Sequence, residues 1–399
     1  MLSLKETRPV WAEINLDYLA HNIKEIRKIV RKESLVTAVI KADGYGHGAV
    51  EIAEILLGNG ANRLAVATLS EALELRSVYR EVPILILGYT PEYNAEEIIK
   101  NKITQTIYSL EQAQKFSEMA QALNQDVTFH IKIDTGMRRI GFQPNEETVK
   151  IIKEIYNLSN VKLEGIFTHF AVADEIDKTF TGKQYEKFIS VVHMLEEERI
   201  SIPIKHVSNS AATMDLQEMN LDMVRVGIIL YGLYPSDEVK KNTIDLKPVL
   251  SLKVKISHVK TLPEGIGISY GLKYTTNKPS KIATIPIGYA DGYTRMLSGK
   301  AEALVGEEKV AIVGRICMDQ CMIDVTNIED VNVGDEVILI GSDGKNTITV
   351  DDVAKKLDTI NYEIVCMLGK RIPRVYIQNN KVIKINDNIM KSVNFNRGV

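Results

Sequence analysis

The stretch "LVTAVIKADGYGHGAVEIAEILLGNGANRLAVAT", residues 35–68, holds the pattern that decides the fold. A short apolar run ends at Lys41, and the helical pattern that follows stops at Gly58 and Gly60. A second apolar run begins at residue 64. Nearly continuous apolar strands that alternate with amphipathic helices predict a parallel sheet covered by helices. We therefore interpret this stretch as one strand–helix–strand unit.

The same alternation continues to about residue 240. Apolar runs recur at 35–40, 64–68, 83–87, 103–107, 127–133, 162–167, 202–207 and 223–228. Eight units over roughly 240 residues have the size of a (β/α)8 barrel of the TIM type. An open doubly wound sheet is the competing topology, but no GxGxxG motif follows the first strand.

The pattern changes after residue 245. The segment "LSLKVKI" alternates apolar and polar residues with the period of a half-buried strand. Strand-like runs follow at 281–287, 309–313, 321–325 and 335–340, with a helix-like piece at 351–357 and a hairpin turning at 379–380. We predict an α/β chain with an N-terminal (β/α)8 barrel in residues 1–245. A mainly β C-terminal domain follows in residues 246–399, with residues 9–15 as one candidate strand of it.

Composition narrows the classes of partner. The chain has 49 Lys and Arg against 52 Asp and Glu, a net charge of −3, and no basic run, so we expect no nucleic acid. No apolar run approaches the ~20 residues of a membrane span, and the first residues lack a signal-peptide core. Three cysteines without a CxxC pair fit a reduced compartment. These features predict a cytoplasmic protein without a membrane partner.

Lys41 is a charged residue at the end of an apolar strand. In a barrel this position faces the functional mouth, where a desolvated lysine forms Schiff bases with carbonyl compounds. The alternative is a lysine that extends to solvent or pairs with Asp43. Other predicted strand ends also carry polar groups, which favours a pocket: Lys132 and Asp134, His169, His206, and Arg225.

The ends of the seventh and eighth strands fit a phosphate site. Barrels often bind phosphate with the loops after these strands. Ser210 offers a hydroxyl, and Gly227 and Ile228 offer backbone N–H groups. A Schiff-base lysine together with a phosphate site is what pyridoxal 5'-phosphate requires.

Nine motifs in order resemble those of the alanine racemase family and cover nearly the whole chain. They are "AVIKADGYGHG", "KIDTGMRRIGF", "THFA", "HVSNSAA", "VRVGIILYG", "ISYG", "IPIGYADGY", "GRICMDQCMIDVT" and "TINYEI". The resemblance implies a pyridoxal phosphate enzyme that interconverts L- and D-alanine through an external aldimine, supplying D-alanine for peptidoglycan. It also implies a homodimer whose active sites are shared between subunits.

The resemblance assigns two bases on opposite faces of the substrate. Lys41 would carry the cofactor and act on D-alanine, and Tyr270 of the partner subunit would act on L-alanine. Because a phenol has a pKa near ~10, its anion needs nearby donors or positive charge. His169 and, through it, Arg225 would supply them. By resemblance Arg225 also faces the cofactor's ring nitrogen, which a guanidinium leaves unprotonated.

The remaining roles also follow from the resemblance. The phosphate ligands would be Tyr45, Ser210, Gly227, Ile228 and Tyr362. The substrate carboxylate would meet the Arg139 side chain and the Met318 backbone N–H, and Lys132 would be carbamylated. Tyr289 and Tyr362 would narrow the pocket, and its access would be lined by Asp174, Arg295, Arg315 and Ile360. We predict no metal, because Cys317 and Asp319 lack a partner motif and are interpreted as framing the Met318 turn.

Three other functions share parts of this pattern. A class I aldolase uses a Schiff-base lysine on a barrel strand but needs no β-domain or phosphate site. A pyridoxal-binding homeostasis protein has the barrel but lacks a second domain with "ISYG". A basic amino acid decarboxylase has both domains but should carry acidic residues for a distal amine. Conversion of L- to D-alanine distinguishes racemisation from the last two.

Overall fold

The computed structural model describes residues 7–389, and this part of the chain divides into two compact units. The barrel unit comprises Tyr18–Gly44 and Gly48–Lys247. The β unit comprises residues 7–17, Tyr45–His47 and residues 248–389. Three residues that follow the first barrel strand thus group with the β unit. The domain boundary at residue 245 stays a proposal.

Eight parallel strands form the sheet of the barrel unit. In chain order they are Leu35–Val39, Arg63–Val66, Ile84–Ile86, Thr104–Ile107, Val127–Lys132, Val161–Phe167, Ile204–His206 and Met223–Val226. Each of the first six strands pairs with the next, and the first pairs with the eighth. Backbone bonds also join the last two strands, from Asp222 N–H to Lys205 O (3.1 Å) and from Arg225 N–H to Ser208 O (3.0 Å). All eight predicted strands are present, and the predicted fold class is confirmed.

Helices alternate with the strands as predicted. They are Leu16–Ile29, Ala49–Gly58, Leu69–Val78, Ala95–Lys100, Leu110–Leu123, Glu146–Tyr156, Thr179–Glu197 and Ser210–Asp215. Several begin at a side-chain cap, as at Ser109 and Asn145, whose oxygens accept backbone N–H bonds two to three residues into the helix. In Leu16–Ile29 the apolar residues Leu19, Ile23 and Ile26 recur at helical spacing and are fully buried. None of the helices within residues 7–389 combines the length and the apolar character that a membrane span requires.

The interior of the barrel is unusually polar. TIM-type interiors are usually filled by branched apolar side chains. Here Thr37, Arg63, His130, His206 and Arg225 lie on barrel strands and are at most 5% exposed. Buried polar groups of this kind must bond to one another. The consequence is a hydrogen-bonded interior that leads to the residues of the mouth.

The β unit is built on a long, mostly antiparallel sheet. Its strand order is His258–Leu262, Ser280–Ile285, Cys321–Asp324, Glu308–Val313, Glu302–Val305, Glu336–Ser342, Leu250–Lys255, Val10–Asn15, Arg374–Gln378 and Lys381–Asn386. Thr347–Ile348 pairs with Glu336–Ser342, and Gly267–Ile268 with Tyr274–Thr275. Val10–Asn15 pairs antiparallel with Leu250–Lys255 and parallel with Arg374–Gln378. The helices Val350–Leu357 and Asn361–Met367 complete the unit.

Candidate active site

The mouth of the barrel collects the polar side chains that were predicted at the strand ends. Lys41 follows the buried Ile40, Lys132 ends the fifth strand, and His206 ends the seventh. His169 lies two residues after the sixth strand, and its Nδ1 is 3.3 Å from Nη2 of Arg225 on the eighth. The structure therefore brings groups from distant parts of the sequence to one end of the barrel.

Lys41 opens a left-handed turn, Lys41–Tyr45. The φ angles are +52° at Ala42, +53° at Asp43, +62° at Gly44 and +52° at Tyr45. A left-handed conformation costs roughly 1–2 kcal/mol for each residue with a side chain, so the turn needs strong local support. Gly44 N–H donates to Ile40 O (2.9 Å), and the Asp43 carboxylate accepts Ala49 N–H (2.8 Å). Lys41 thus leaves the strand at a point that its neighbours fix firmly.

Glu71 is a further support of this turn that the sequence did not reveal. Its Oε1 accepts the N–H of Ala42 at 2.7 Å, directly after Lys41. Its Oε2 accepts the N–H groups of Ala67 (2.8 Å) and Thr68 (3.1 Å) and completes a capping box on Leu69–Val78. One carboxylate therefore ties the end of the first strand to the start of the helix after the second. The T-x-x-E pattern at 68–71 was a readable signal for the cap but not for the bond to Ala42.

Arg225 is the most extensively bonded residue of the mouth. Its Nη1 contacts His206 Nδ1 (2.8 Å) and donates to His206 O (3.2 Å). Its Nη2 donates to Thr168 O (2.8 Å) and Val207 O (3.1 Å) and contacts His169 Nδ1. The guanidinium lies 5.1 Å from the centroid of the Phe167 ring. An arginine with so many fixed acceptors has one orientation.

The contacts of Arg225 continue into the barrel as a chain of buried bonds. His206 Nε2 is 2.8 Å from His130 Nδ1, and His130 Nε2 is 3.0 Å from Glu164 Oε2. Glu164 Oε2 in turn forms an ion pair with Arg63 Nη2 at 2.5 Å. We call the series Arg225–His206–His130–Glu164–Arg63 the interior chain. His130, Glu164 and Arg63 were not predicted from the sequence as members of this chain. Their position as titratable residues within apolar strands could have indicated buried hydrogen bonds.

Burial and positive charge shift the pKa values at the mouth. Burial, followed by the charge of Arg139, lowers the pKa of Arg225 to about 9, so the guanidinium stays charged at neutral pH. Burial, followed by the charge of Arg225, lowers the pKa of Lys132 to about 7. The same two causes hold the pKa of His169 well below its ordinary value. His169 is therefore a neutral imidazole at physiological pH.

Two loops of the barrel unit present donors suited to an anion. Ser210 begins the helix after the seventh strand, and its Oγ accepts the N–H of Gly227 at 3.0 Å. Gly227 and Ile228 open a 3₁₀ turn after the eighth strand. All three residues are buried. A hydroxyl beside backbone N–H groups at the start of helical turns favours binding of a phosphate.

In the β unit, a strained segment carries Tyr270. Ser269 has φ +66° and Gly271 has φ +69°. The Ser269 hydroxyl donates to Arg315 O at 2.6 Å and holds the segment against the loop before Met318. The Tyr270 side chain is nevertheless 68% exposed. The backbone is fixed while the phenol remains accessible within the protomer.

Met318 and Tyr289 lie on two adjoining turns of the β unit. Tyr289 N–H donates to Cys317 O (3.1 Å), and Ala290 N–H donates to Met318 O (3.0 Å). Gly288 permits this approach, because a Cβ there would lie 2.2 Å from Cys317 O. These bonds fix the backbone at Cys317 and Met318, and the predicted role of Cys317 and Asp319 in framing this turn stays a prediction. No group of three His, Cys, Asp or Glu side chains able to hold a metal ion occurs within residues 7–389.

Tyr45 and Tyr362 approach each other within the β unit. Their ring centroids are 6.2 Å apart. Burial, followed by the charge of Cys366, raises the pKa of Tyr45, so its phenol stays protonated and can donate. Ile360 precedes the helix Asn361–Met367 that carries Tyr362.

The other predicted residues lie in loops. Arg139 is exposed, and its charge acts on Lys132, His169 and Arg225. Asp174 accepts the Ser236 hydroxyl at its backbone O (2.6 Å), and Arg295 opens a short 3₁₀ turn. Their roles at the access to a pocket stay predictions.

The fold and the mouth define a (β/α)8-barrel enzyme with a β unit and a cationic site at the carboxyl ends of its strands. Two family profiles match the chain, described as "Alanine racemase, N-terminal domain" over residues 14–235 and "Alanine racemase, C-terminal domain" over residues 249–376. The chain belongs to the alanine racemase family.

Individual relatives agree with this assignment. An alanine racemase of Clostridium perfringens (strain SM101 / Type A) is 53% identical over 382 residues, which cover 96% of this chain and 99% of the relative. An alanine racemase of Methanococcus maripaludis is 54% identical and covers 93% of this chain and 99% of the relative. The solved alanine racemase of Clostridium difficile 630 has a TM-score of 0.92 at 51% identity, covering 96% and 99% of the two chains. These similarities support alanine racemisation.

Proposed function

We propose that this protein interconverts L- and D-alanine with pyridoxal 5'-phosphate held on Lys41. The observation that carries the proposal is the grouping at one barrel mouth of Lys41, the Arg225–His169 pair and the Ser210–Gly227 donors. An aldolase would need only the lysine of this set.

The residues present fit this cofactor. Its phosphate is an anion, and the Ser210 hydroxyl with the backbone N–H groups of Gly227 and Ile228 would hold it. Tyr45 and Tyr362 are the further phosphate ligands that the resemblance to the family implies. The amine of Lys41 would join its aldehyde carbon, and Arg225 would meet its ring nitrogen. When bound, the cofactor supplies an electron sink that makes the Cα–H bond of alanine acidic.

Arg225 would limit how much negative charge is delocalised from Cα into the cofactor ring. A guanidinium donates hydrogen bonds and cannot accept a proton, so it leaves the ring nitrogen unprotonated. Less negative charge then reaches the ring, and protonation at Cα is favoured over protonation at the cofactor. We propose that this choice of residue favours racemisation over transamination.

Lys41 and Tyr270 would exchange the Cα proton from opposite sides. Lys41 serves D-alanine, and Tyr270 of the partner subunit serves L-alanine. His169 gives the phenolate a partner: its Nδ1 faces an Arg225 donor at 3.3 Å, so in the neutral ring the proton sits on Nε2. That N–H can donate to the Tyr270 oxygen and stabilise the phenolate form, which is the form that accepts the Cα proton.

A homodimer would complete each site. The side chains of Tyr270, Leu272 and Met318 are 68%, 65% and 53% exposed in the protomer. Large apolar groups held on fixed turns favour burial against another subunit. A twofold pairing that places the β unit of one chain over the barrel of the other yields two equivalent sites.

The substrate assignment rests on the remaining residues. The Arg139 guanidinium and the Met318 backbone N–H would bind the carboxylate of alanine. Tyr289 and Tyr362 would limit the pocket to a methyl side chain, with Asp174, Arg295, Arg315 and Ile360 lining its access. The product D-alanine would serve peptidoglycan synthesis in the cytoplasm.

Chemical trapping tests the central claim. Borohydride reduction of the holoenzyme should fix the phosphopyridoxyl mass on the peptide that contains Lys41, and Lys41→Ala should abolish both trapping and racemisation while leaving the circular dichroism spectrum unchanged. A coupled assay over a panel of L-amino acids should show alanine as the preferred substrate. Trapping on Lys132 instead would overturn the assignment.

A further inference from the structure

Two members of the interior chain have a fixed hydrogen-bonding character. Arg225 at the mouth has donors only, and the ionised carboxylate of Glu164 has acceptors only. Between them, His206 and His130 are each fully buried. A neutral imidazole has one donor and one acceptor nitrogen, so Arg225 and Glu164 decide how both rings are protonated.

One arrangement of protons satisfies every bond of the chain. His206 Nδ1 must accept from Arg225 Nη1 at 2.8 Å, so its proton lies on Nε2. His206 Nε2–H then donates to His130 Nδ1 at 2.8 Å, and His130 Nε2–H donates to Glu164 Oε2 at 3.0 Å. Reversing the series would place a His206 N–H against an Arg225 N–H among fully buried side chains, which is strongly unfavourable.

The backbone around the chain is shaped for these rings. Gly165 lies against His130, and a Cβ at this position would be 2.4 Å from His130 Nδ1. The Phe167 ring stacks on His206 with an interplanar angle of 6° and a centroid distance of 4.7 Å. Arg63 pairs with Glu164 at the far end, which keeps the carboxylate ionised although it is largely buried.

We propose that Glu164, acting through His130 and His206, is a positioning residue that fixes the orientation of the Arg225 guanidinium. The inference rests on the proposed role of Arg225 at the cofactor ring. Nη1 of Arg225 depends on an acceptor at His206 Nδ1, and Nη2 makes the longer 3.3 Å contact with His169. If His206 Nδ1 ceases to accept, Nη1 keeps only the 3.2 Å bond to His206 O, and the guanidinium shifts among its backbone acceptors, which weakens the longer contact with His169 first.

The protonation of the rings can be measured without any variant. Long-range ¹⁵N–¹H correlation spectra of histidine-labelled holoenzyme should show His130 and His206 neutral and protonated at Nε2 from pH 6 to 8, with assignments made by single His→Gln substitutions. Burial lowers the pKa of both rings, in agreement with this expectation. A ring that is protonated at Nδ1 or charged in this range would overturn the proposal.

Three variants test the link to Arg225. Glu164→Met removes the terminal acceptor, Glu164→Gln retains a carbonyl oxygen, and Thr106→Val removes a buried barrel hydroxyl that bonds Ile86 O outside the chain. In Glu164→Met both imidazole patterns should change, and kcat for alanine should fall about tenfold with KM within about twofold. Glu164→Gln and Thr106→Val should keep the wild-type spectra and kcat within about threefold.

The outcomes separate this proposal from the one it rests on. Unchanged imidazole spectra in Glu164→Met, or changed spectra with an unchanged kcat, would refute the positioning role. If Glu164→Met does not fold, the double variant Arg63→Met/Glu164→Met removes both charges together and carries the same expectation. A wild-type protein without racemase activity would refute the proposed function and leave the spectra as an independent test of the chain.

Discussion

Replacing Lys132 by methionine should stabilise the folded protein, because burial of the charged lysine amine is unfavourable. The side chain is 4% exposed, its Nζ donates to Ile133 O at 2.9 Å, and Nζ lies 5.4 Å from the Phe167 ring centroid. Burial and the charge of Arg225 lower its pKa from 10.5 to about 7. Methionine has a similar length without the charge, so Lys132→Met isolates the electrostatic contribution.

The sign and the size follow from linkage. Because the pKa in the folded state lies below that in the unfolded state, the unfolded chain binds more protons between about pH 7 and 10.5. The buried, protonated Lys132 therefore lowers the free energy of unfolding. This destabilisation is fully present below pH 7 and decreases as the pH rises through the window. The whole depression corresponds to about 5 kcal/mol, of which about 2–3 kcal/mol is relieved between pH 6 and pH 9. Lys132→Met carries no such dependence.

Thermal unfolding in buffers free of carbon dioxide checks this expectation. For a unit of about 230 residues, each kcal/mol corresponds to about 2–4 °C in Tm. At pH 6 Lys132→Met should therefore unfold at a higher Tm than the wild type. This difference in Tm should shrink by about 4–12 °C between pH 6 and pH 9. Lys162→Met, an exposed lysine on the neighbouring strand, should differ from the wild type by the same amount at both pH values. The same difference in Tm between Lys132→Met and the wild type at both pH values would refute the reasoning.

The same amine should react with carbon dioxide. A neutral amine adds to carbon dioxide and releases a proton, and the resulting carbamate is an anion next to Arg139 and Arg225, whose charges act on Lys132. Added ¹³C-bicarbonate should therefore give a carbamate signal in the wild type and raise its Tm, with neither effect in Lys132→Met. Electron density for a bare amine at neutral pH would contradict this prediction.

Three further outcomes are expected. Mixing dissociated Lys41→Ala and Tyr270→Ala should restore about a quarter of native activity on reassociation, because about half of randomly paired dimers are mixed and each has one intact site; no recovery would place both bases in one chain. Glu71→Gln should weaken cofactor binding more than Thr68→Ala, measured by titration of absorbance, because both disturb the helix cap but only Glu71 bonds Ala42. Gly288→Ala should raise KM for alanine by displacing the Met318 turn, whereas Gly182→Ala, with open space at its Cβ, should leave KM unchanged and raise stability by about 0.5–1 kcal/mol.

The barrel could be predicted because its strands are nearly continuous apolar runs. Each predicted run overlaps an observed strand, and the hairpin at Asn379–Asn380 is present with both residues at positive φ. For the helix at 49–58 the sequence marks one apolar stripe, formed by Val50, Ala53 and Leu57. Ala53 is fully buried, but Val50 and Leu57 are only partly buried, and the buried face also includes Ile52 and Leu56. A ten-residue helix that is apolar on several sides carries too little contrast to fix its orientation.

The missed strands have equally local causes. His258–Leu262 is mostly exposed, so it lacks the apolar alternation that identifies a half-buried strand. Glu302–Val305 has only four residues. Both became strands because pairing partners supply their backbone bonds, as Ser280–Ile285 does for the first and Glu308–Val313 for the second. That information lies outside the segments themselves.

At the candidate site, too, contacts between residues that are far apart in the sequence could not be predicted from local patterns. The left-handed angles of Ala42 and Asp43 after Lys41 were not predicted, and one bond that supports this turn comes from Glu71, 29 residues away from Ala42. The interior chain is more extreme, since Arg63 and Glu164 are 101 residues apart and each resembles a surface charge when considered alone. Only closure of the barrel makes them partners.

Each site of the proposed homodimer would combine a firmly held barrel mouth with an accessible phenol from the partner's β unit. In the barrel, fixed donors and acceptors hold Arg225, and the turn at Lys41 is bonded on several sides. In the β unit, Ser269 fixes the backbone at Tyr270 and leaves the phenol exposed. Two bases that must act on opposite faces of one carbon cannot both tolerate loose geometry, because proton transfer needs approach to hydrogen-bonding distance. In the proposed homodimer, a second subunit would bring a rigid Tyr270 segment to a rigid barrel mouth and would satisfy this requirement with one interface, and the strained backbone at Ser269 would set the approach of the phenol before the subunits meet.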